Sequence, residues 1–206
     1  HEWMESFKAQ KRMAELGLKS EDELQSWFMK QMDDFLTSKG RKLIGWDEIL
    51  EEGLASGAAV MSWRNADGGL KAAEAGHDAV MSVAEYTYFD SYQNEPVKNE
   101  PLAIGGMLPM EKVLEFNPIP DNLSEDKKNK ILGGQGQLWT EYIANYKHLE
   151  YMAFPRVCAL SEILWKNSNK ILESEFKEHL NIHLQRLDAL DVNYKVHEKA
   201  FRTMSI

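Results

Sequence analysis

Apolar residues recur at helical spacing near both ends of the chain and form short continuous runs in its middle. After Ser20 the apolar positions with helical spacing are Leu24, Trp27, Phe28, Met32 and Phe35. Ser20 and Glu23 make a capping-box pattern at the start of this segment, and Gly40 ends it. We therefore predict that residues 2–39 are mostly helical, with a break near Gly17.

Four apolar runs predict strands. They are "RKLIGWDEIL" (41–50), "AAVMSWRN" (58–65), "HDAVMSVAEYTYFD" (77–90), which runs into a loop, and "ILGGQGQLWTEYI" (131–143). The run "GGLKAAEAG" between the second and third strands predicts a short helix. Residues 91–130 hold five of the six prolines and predict a long excursion with short helical pieces.

Two further helices are predicted after the fourth strand, over 145–165 and 173–192. The second carries an apolar stripe typical of core packing, made by Phe176, Leu180, Leu184 and Leu187. Strands that alternate with helical or long connections favour parallel pairing and an α/β fold. An open doubly wound sheet and a (β/α) barrel both fit this order.

Aromatic and charged residues meet at the predicted strand ends, which read "GWDE", "MSWR", "YTYFD" and "QLWTE". Residues two apart on a strand share a face, so Trp139 and Glu141 share one, as do Tyr88 and Asp90 if their strand stays extended. Tryptophan offers a flat apolar surface to a sugar ring, and a carboxylate accepts hydrogen bonds from hydroxyls. A sugar site fits this pattern, and so does a purely structural arrangement in which tryptophans cap the sheet and acids face water.

Composition excludes several other functions. The 206 residues carry a formal net charge of −9 and no basic stripe, so nucleic acid is not expected as a partner. No apolar run approaches the length of about 20 residues needed to span a membrane, so no membrane partner is expected. The single cysteine, Cys158, is predicted to be a buried small apolar residue rather than a nucleophile.

A metal site is poorly supported by the histidines. His179 and His183 share a helix face, but their "HLNIH" lacks the glutamate of H-E-x-x-H. We predict that they lie on a solvated helix edge. No metal and no cofactor are expected, and no G-x-G-x-x-G opens a helix after a strand.

Several of these segments, in this order, resemble the C-terminal half of the catalytic domain of the β-N-acetylhexosaminidases of glycoside hydrolase family 20. They are "KLIGWDEILEEGLA", "AVMSWR", "GHDAVMS", "YTYFDSYQ", "EPLAIGGMLPMEKV", "ILGGQGQLWTEYI", "EYMAFPRVCALSEILW" and "LDALDVNYKV". The resemblance covers nearly the whole chain and implies the C-terminal half of a (β/α)8 TIM barrel over residues 1–206. It places the four predicted strands fifth to eighth in that barrel.

The resemblance also implies an activity and roles for particular residues. Family members hydrolyse terminal β-linked N-acetylglucosamine or N-acetylgalactosamine with retention, using the substrate's own acetamide as nucleophile. The matching positions are Trp46, Trp63 and Trp139 as walls of the acetamide pocket, Tyr88 as donor to the acetamide oxygen, and Asp90 and Glu141 as acceptors for sugar hydroxyls. N-acetylhexosamine-containing glycans are thus the expected partners.

One departure from the family pattern changes the expected activity. The family's catalytic Asp-Glu pair lies in H-x-G-G-D-E, which is absent from this chain, and Asp47-Glu48 and Asp33-Asp34 match other family positions. We expect a fragment that is inactive alone, from a parent that is exported or lysosomal. A non-catalytic carbohydrate-binding or assembly half-barrel is the alternative.

A half barrel also leaves its interior face uncovered. Val60, Val80 and Leu138 are expected to contribute apolar side chains to that face. We therefore expect the chain to associate with the missing N-terminal half of the barrel or with itself as a homodimer.

Overall fold

The structure is a computed structural model that describes residues 2–166 and 173–196. The chain divides into two compact units, one made of residues 1–81 and 119–132 and the other of residues 82–118 and 133–206.

The described helices and strands follow the predicted order. The helices are α1 (Glu2–Glu5), α2 (Phe7–Leu16), α3 (Glu21–Ser38), α4 (Asp67–Glu74), α5 (Ala84–Thr87), α6 (Met110–Leu114), α7 (Tyr146–Ala153), α8 (Arg156–Trp165) and α9 (Glu173–Ala189). The strands are β1 (Ile44–Trp46), β2 (Ala59–Ser62), β3 (Ala79–Met81) and β4 (Ile131–Gly134). Short 3-10 helices cover Asp47–Leu50, Val97–Asn99 and Glu125–Lys130.

The strands form one sheet in the order β1-β2-β3-β4, which is also their order along the chain. The pairs β1–β2 and β2–β3 are parallel. Consecutive parallel strands joined by helices or long connections are the arrangement of a (β/α)8 barrel, and four of them make half of one. The predicted α/β half-barrel is therefore confirmed.

The end signals of the N-terminal helices act as predicted. The Ser20 hydroxyl accepts a hydrogen bond from the backbone N–H of Glu23 at 3.2 Å, and the Glu23 carboxylate accepts from the backbone N–H of Lys19 at 2.7 Å. Gly17 follows α2 with a φ of 70°, in the left-handed region that favours glycine. The predicted break between the two helices is confirmed.

The core of the first unit lies between the sheet and its helices. Val60 is fully buried there and packs in one cluster with Leu43, Ala72 and Ala79, against which Met29 of α3 packs. The expectation that Val60 contributes to the barrel interior is wrong, because this side chain faces the helical layer.

The opposite face of the sheet is identified by its register. Met61 pairs with Val80 and follows Val60 directly, so Met61 and Val80 point away from the helical layer. The expectation for Val80 is consistent with this register.

Two predicted elements differ from the structure. The third strand ends at Met81, and the predicted continuation contains the short helix α5 instead. The helix predicted over 145–165 is two helices, because Pro155 lacks the N–H that an uninterrupted helix would need.

In the second unit α8 contacts α6, α7 and α9. The predicted apolar stripe of α9 is buried, as expected for core packing, at Phe176, Leu180, Leu184 and Leu187.

Candidate active site

The residues predicted for the site belong to two different units. Trp46 and Trp63 belong to the first unit, and Tyr88, Asp90, Trp139 and Glu141 belong to the second.

In the first unit, two acids that follow β1 hold Trp63. The Asp47 carboxylate, which is 2% exposed, accepts from the backbone N–H of Trp63 at 3.0 Å and from Nε of Arg64 at 2.6 Å. The Glu48 carboxylate accepts from the indole Nε1 of Trp63 at 3.0 Å and 3.2 Å. The indole is therefore held at its polar edge.

Asp47 and Glu48 were identified in the sequence only as acids that match other family positions. Their contacts with Trp63 and Arg64 come from the next strand end, 15 to 17 residues away. The only sequence signal for this role is their place directly after Trp46, at a strand end.

In the second unit, Tyr88 and its neighbours pair with Gln137. Tyr88 and Gln137 form an isolated parallel bridge. The backbone N–H of Gln137 donates to the Thr87 carbonyl, and the backbone N–H of Phe89 donates to the Gln137 carbonyl, each at 2.8 Å. The backbone on both sides of half-buried Tyr88 is thus fixed against one residue beyond β4.

Side chains reinforce the same pairing. The Gln137 amide donates to the Ser82 hydroxyl at 2.7 Å, and this hydroxyl donates to the Gln135 carbonyl at 3.1 Å. Ser82 is fully buried and Gln137 is 7% exposed. Buried polar groups that satisfy each other in this way specify a single arrangement of the backbone.

Gly136 packs tightly beside this pairing. A Cβ atom built on Gly136 would lie 2.7 Å from Cε2 of Phe89 and 3.2 Å from Cδ2 of Leu160. The glycine is needed because the Phe89 ring occupies the space of a side chain. At Gly133 the backbone conformation favours glycine instead, because its φ is 139° and there is open space around it.

Asp90 is a buried carboxylate with an unused acceptor. It is 4% exposed, and its Oδ1 has no hydrogen-bond partner among the described residues. Burial is the main cause that raises the pKa of Asp90, and a hydrogen bond with its own backbone opposes it. The negative charge of Glu141 raises the pKa further, and the positive charge of Arg156 lowers it. A buried acceptor without a donor is costly in a folded chain, and a ligand that brings a hydroxyl would satisfy it.

Trp139 and Glu141 are exposed and do not lie on a strand. The strand β4 ends at Gly134, and the chain from Leu138 to Thr140 has no regular structure. The strand-alternation argument for Trp139 and Glu141 is therefore wrong. It fails for Tyr88 and Asp90 as well, because α5 precedes them and a turn follows Tyr88.

Other candidate chemistry is weak in the described part of the chain. It contains no cluster of three or more His, Cys, Asp or Glu side chains that could hold a metal ion. His179 Nδ1 lies 3.5 Å from a carboxylate oxygen of Glu162, on the exposed side of α9. Burial raises the pKa of half-buried Cys158 to about 11, so its thiol is protonated at neutral pH and is a poor nucleophile. None of the described helices is long and apolar enough to cross a membrane.

The sequence matches a model described as glycosyl hydrolase family 20, catalytic domain, over residues 1–168. The chain belongs to glycoside hydrolase family 20. This confirms the family predicted from the ordered motifs.

The relatives in the family are longer than this chain. The chain is 44% identical over 195 residues to a β-hexosaminidase of Porphyromonas gingivalis, covering 94% of this chain and 25% of that protein. A β-hexosaminidase of Vibrio furnissii is 29% identical over 161 residues, which cover 77% of this chain and 26% of that protein. The chain spans about a quarter of the length of these curated relatives.

Solved structures of family 20 enzymes share the fold. The exo-β-N-acetylglucosaminidase of Vibrio harveyi, solved with N-acetylglucosamine, superposes with a TM-score of 0.83 at 30% identity, over 94% of this chain and 31% of that chain. The chitobiase of Flavobacterium johnsoniae superposes with a TM-score of 0.75 at 28% identity, over 96% of this chain and 28% of that chain.

Proposed function

We propose that the chain supplies one half of the active site of a β-N-acetylhexosaminidase that hydrolyses terminal β-linked N-acetylglucosamine or N-acetylgalactosamine. The observation that carries this proposal is the buried Asp90 carboxylate, whose Oδ1 has no donor. A sugar hydroxyl is a neutral hydrogen-bond donor to a carboxylate oxygen. Family membership supports this class of substrate.

In the second unit the proposal gives Tyr88 the role of donor to the acetamide oxygen, which attacks the anomeric carbon. The roles of Trp46, Trp63 and Trp139 as walls of the acetamide pocket are those that the family resemblance implies. The contact of Glu48 with the Trp63 indole supports a fixed wall. A donor held in advance at a developing charge lowers the barrier without reorganisation of the site.

Asp90 and Glu141 bind hydroxyls of the same sugar in this proposal. Their mutual repulsion, which contributes to the raised pKa of Asp90, is relieved when hydroxyl donors bind between carboxylates and share their charge.

The acid that protonates the leaving oxygen and the aspartate that orients the acetamide are supplied by residues outside the 206. The support is the absence of H-x-G-G-D-E from the sequence. The 206-residue chain, as the C-terminal part of the catalytic barrel, then binds and positions the sugar but lacks the proton donor.

The sheet supports a covering partner for the first unit. On the face away from the helical layer Met61 and Val80 are neighbours, and the nearby strand residues Ile44 and Leu132 are 51% and 60% exposed. The remaining half of a family 20 barrel is the proposed cover, and a second copy takes its place when that half is absent. Light scattering after size exclusion tests this, and a stable monomer over a wide dilution range would refute it.

A chimera tests the catalytic proposal. This chain replaces the matching segment of the Porphyromonas gingivalis relative, and hydrolysis of 4-nitrophenyl N-acetyl-β-D-glucosaminide is measured for the chimera and for the 206-residue chain. We expect turnover by the chimera and none by the chain alone, because only the chimera has the acid. A well-folded chimera without turnover, or turnover by the highly purified chain, would contradict the proposal.

A matched pair of variants separates the site from general damage. In the chimera Asp90→Asn replaces the proposed charged acceptor with a neutral amide, and Glu178→Gln makes the corresponding change at an exposed position of α9. The first should weaken binding of the substrate and the second should leave it unchanged. Equal kinetics for both variants would show that Asp90 does not contact the sugar.

A further inference from the structure

Arg156 is fully buried at the start of α8, and all of its N–H groups are used. Nη1 donates to the carbonyls of Ser91 at 3.0 Å and Leu108 at 3.1 Å. Nε and Nη2 donate to the carbonyl of Met152 at 3.2 Å and 2.6 Å, and Nη2 also donates to the carbonyl of Phe89. A guanidinium has five N–H donors, so five hydrogen bonds leave none for another acceptor.

This is an unusual use of a buried cation. Buried arginines are normally paired with a carboxylate, because an unpaired charge in the interior is strongly unfavourable. Here every donor goes to a neutral backbone carbonyl instead. Burial lowers the pKa of Arg156 to about 9, which still leaves the group charged at neutral pH.

Asp90 is the nearby carboxylate that could pair with this cation, but Arg156 donates no hydrogen bond to it. Asp90 lies between Phe89 and Ser91, whose carbonyls both accept from Arg156. The positive charge of Arg156 favours the ionised form of Asp90, while Glu141, in the chain beyond β4, disfavours it. Asp90 therefore feels the charge of Arg156 while its Oδ1 keeps no hydrogen-bond partner among the described residues.

Arg156 is held in this place from other directions as well. Its guanidinium carbon lies 5.3 Å from the centre of the Phe89 ring, a cation–π distance. The negative charge of Glu100 and the phenol of Tyr151 favour its charged form. The cation is thus fixed by backbone carbonyls, one aromatic ring and more distant charges.

We propose that Arg156 is a positioning residue for the sugar-binding carboxylate. It fixes the backbone on both sides of Asp90 and supplies a positive charge next to it, while leaving Oδ1 open for a hydroxyl of the ligand. The identity of that ligand rests on the proposed function, but the positioning of Asp90 does not.

The geometry distinguishes this role from two simpler ones. A direct ion pair would also supply the charge, but it would occupy the oxygens that a ligand needs. A neutral apolar residue at position 156 would leave four carbonyls without donors and Asp90 without a counter-charge. A lysine has three donors, so it can keep the charge but cannot bind all four carbonyls.

The experiment uses the 206-residue chain and three variants. Arg156→Met removes charge and donors, Arg156→Lys keeps the charge, and Lys195→Met is the control. Lys195 is another cation of the same unit, which donates to Glu100 at 2.6 Å. The titration midpoint of the Asp90 carboxyl is measured by carbon NMR, and backbone hydrogen exchange is measured over residues 88–92.

We expect Arg156→Met to raise the midpoint of the Asp90 titration, because the positive charge that lowers this pKa is lost. Arg156→Lys should keep the midpoint closer to that of the unmodified chain but lose exchange protection over residues 88–92. Lys195→Met should change neither quantity. A folded Arg156→Met variant with an unchanged midpoint would overturn the electrostatic part of the proposal.

If Arg156→Met does not fold, Arg156→Lys decides. Unchanged exchange protection over residues 88–92 in Arg156→Lys would overturn the proposal, since the carbonyl contacts would then not hold this segment. Both readouts are independent of any sugar.

Sugar binding is tested separately, with N-acetylglucosamine and the chimera. There Arg156→Lys should weaken binding by about tenfold or more, because Asp90 is no longer held in place and its charged hydrogen bond to the sugar is weakened. A chimera that never binds N-acetylglucosamine would contradict the proposed function alone. Unchanged binding by Arg156→Lys in a chimera that does bind would contradict the positioning role.

Discussion

Adding one methyl group at Gly136 tests whether the segment that carries Tyr88 and Asp90 is tightly packed. In Gly136→Ala the new Cβ would meet Cε2 of Phe89 at 2.7 Å and Cδ2 of Leu160 at 3.2 Å. Phe89 is 2% exposed and Leu160 is 5% exposed, so neither side chain can move into solvent. The Phe89 carbonyl is also bonded to Arg156, which limits movement of the backbone.

The expected cost follows from overpacking. An extra methyl group in a well-packed core destabilises by roughly 1–3 kcal/mol. For a domain of this size each kcal/mol lowers the melting temperature by about 2–4 °C, so we expect a fall of roughly 2–12 °C. Thermal unfolding of the 206-residue chain, followed by circular dichroism at 222 nm, measures it.

Two further variants show whether the Phe89 ring is the cause. Gly17→Ala is the control for backbone strain without a clash, since Gly17 has a φ of 70° and open space around it. Phe89→Leu removes Cε2, the atom that the new methyl group would meet at 2.7 Å. The double variant should lose less stability than the two single variants lose together, because residues in contact affect each other's contribution to stability.

The reasoning would be refuted by a melting temperature for Gly136→Ala within about 1 °C of the unmodified chain. Strict additivity in the double variant would also refute it, since the methyl group would then be meeting something other than the ring.

Four further predictions concern individual residues of the two units. In the chimera Tyr88→Phe should lower kcat by roughly 10²–10³ with a smaller change in KM, because the proposed donor to the acetamide oxygen is lost; steady-state kinetics measure this, and an unchanged kcat would exclude the proposed role. Burial raises the pKa of Asp90 above its value in the unfolded chain, so the folded state loses stability as pH rises through the folded-state pKa. Asp90→Asn should therefore raise the melting temperature at pH 7 and have little effect at pH 3. A larger increase at pH 3 than at pH 7 would contradict the raised pKa. Glu48→Gln weakens the acceptor of the Trp63 indole, so hydrogen exchange of that indole N–H, followed by NMR, should become about tenfold faster, and an unchanged rate would show that the contact is not formed in solution. Cys158, with a pKa of about 11, should react at least about 100-fold more slowly with a disulfide reagent at pH 8 than after unfolding, and a rapid reaction in the folded chain would be incompatible with its burial.

The sequence alone was sufficient where local chemistry decides the structure. The beginning of α3 follows from Ser20 and Glu23, since these two side chains satisfy donors at the helix start. The order of parallel strands follows from short apolar runs separated by helical or long connections. The family followed from many motifs in order, because the residue types at several strand ends are constrained together.

Where a residue's environment depends on distant parts of the chain, the sequence was a poor guide. In the segment "AEYT" only Tyr86 and Thr87 favour strands, whereas Ala84 and Glu85 favour helices, and the segment forms α5 just before the bridge between Tyr88 and Gln137. Val60 was assigned to the wrong face, because an apolar strand with helices on one side and a barrel interior on the other shows no alternation.

The candidate site shows the same limit. The roles of the six candidate site residues come from the family resemblance and stay predictions, and the contacts of Asp47 and Glu48 depend on a strand end 15 to 17 residues later. Nothing in "FPRVCALSEILW" distinguishes an arginine on a helix surface from one that is fully buried. The contacts of Arg156 become visible only when three distant backbone segments are brought together.

The distances along the chain that Arg156 bridges have a consequence for folding kinetics. Its guanidinium contacts carbonyls 48, 65 and 67 residues away, so a long loop must close, at a cost in chain entropy, before each contact can stabilise the chain. An intermediate with only some of these contacts would hold a desolvated cation without enough acceptors, which is unfavourable. The three loops should therefore close in one cooperative step late in folding, and pulsed hydrogen exchange should show Phe89, Ser91 and the first turn of α8 gaining protection together, after α3 and the first strands.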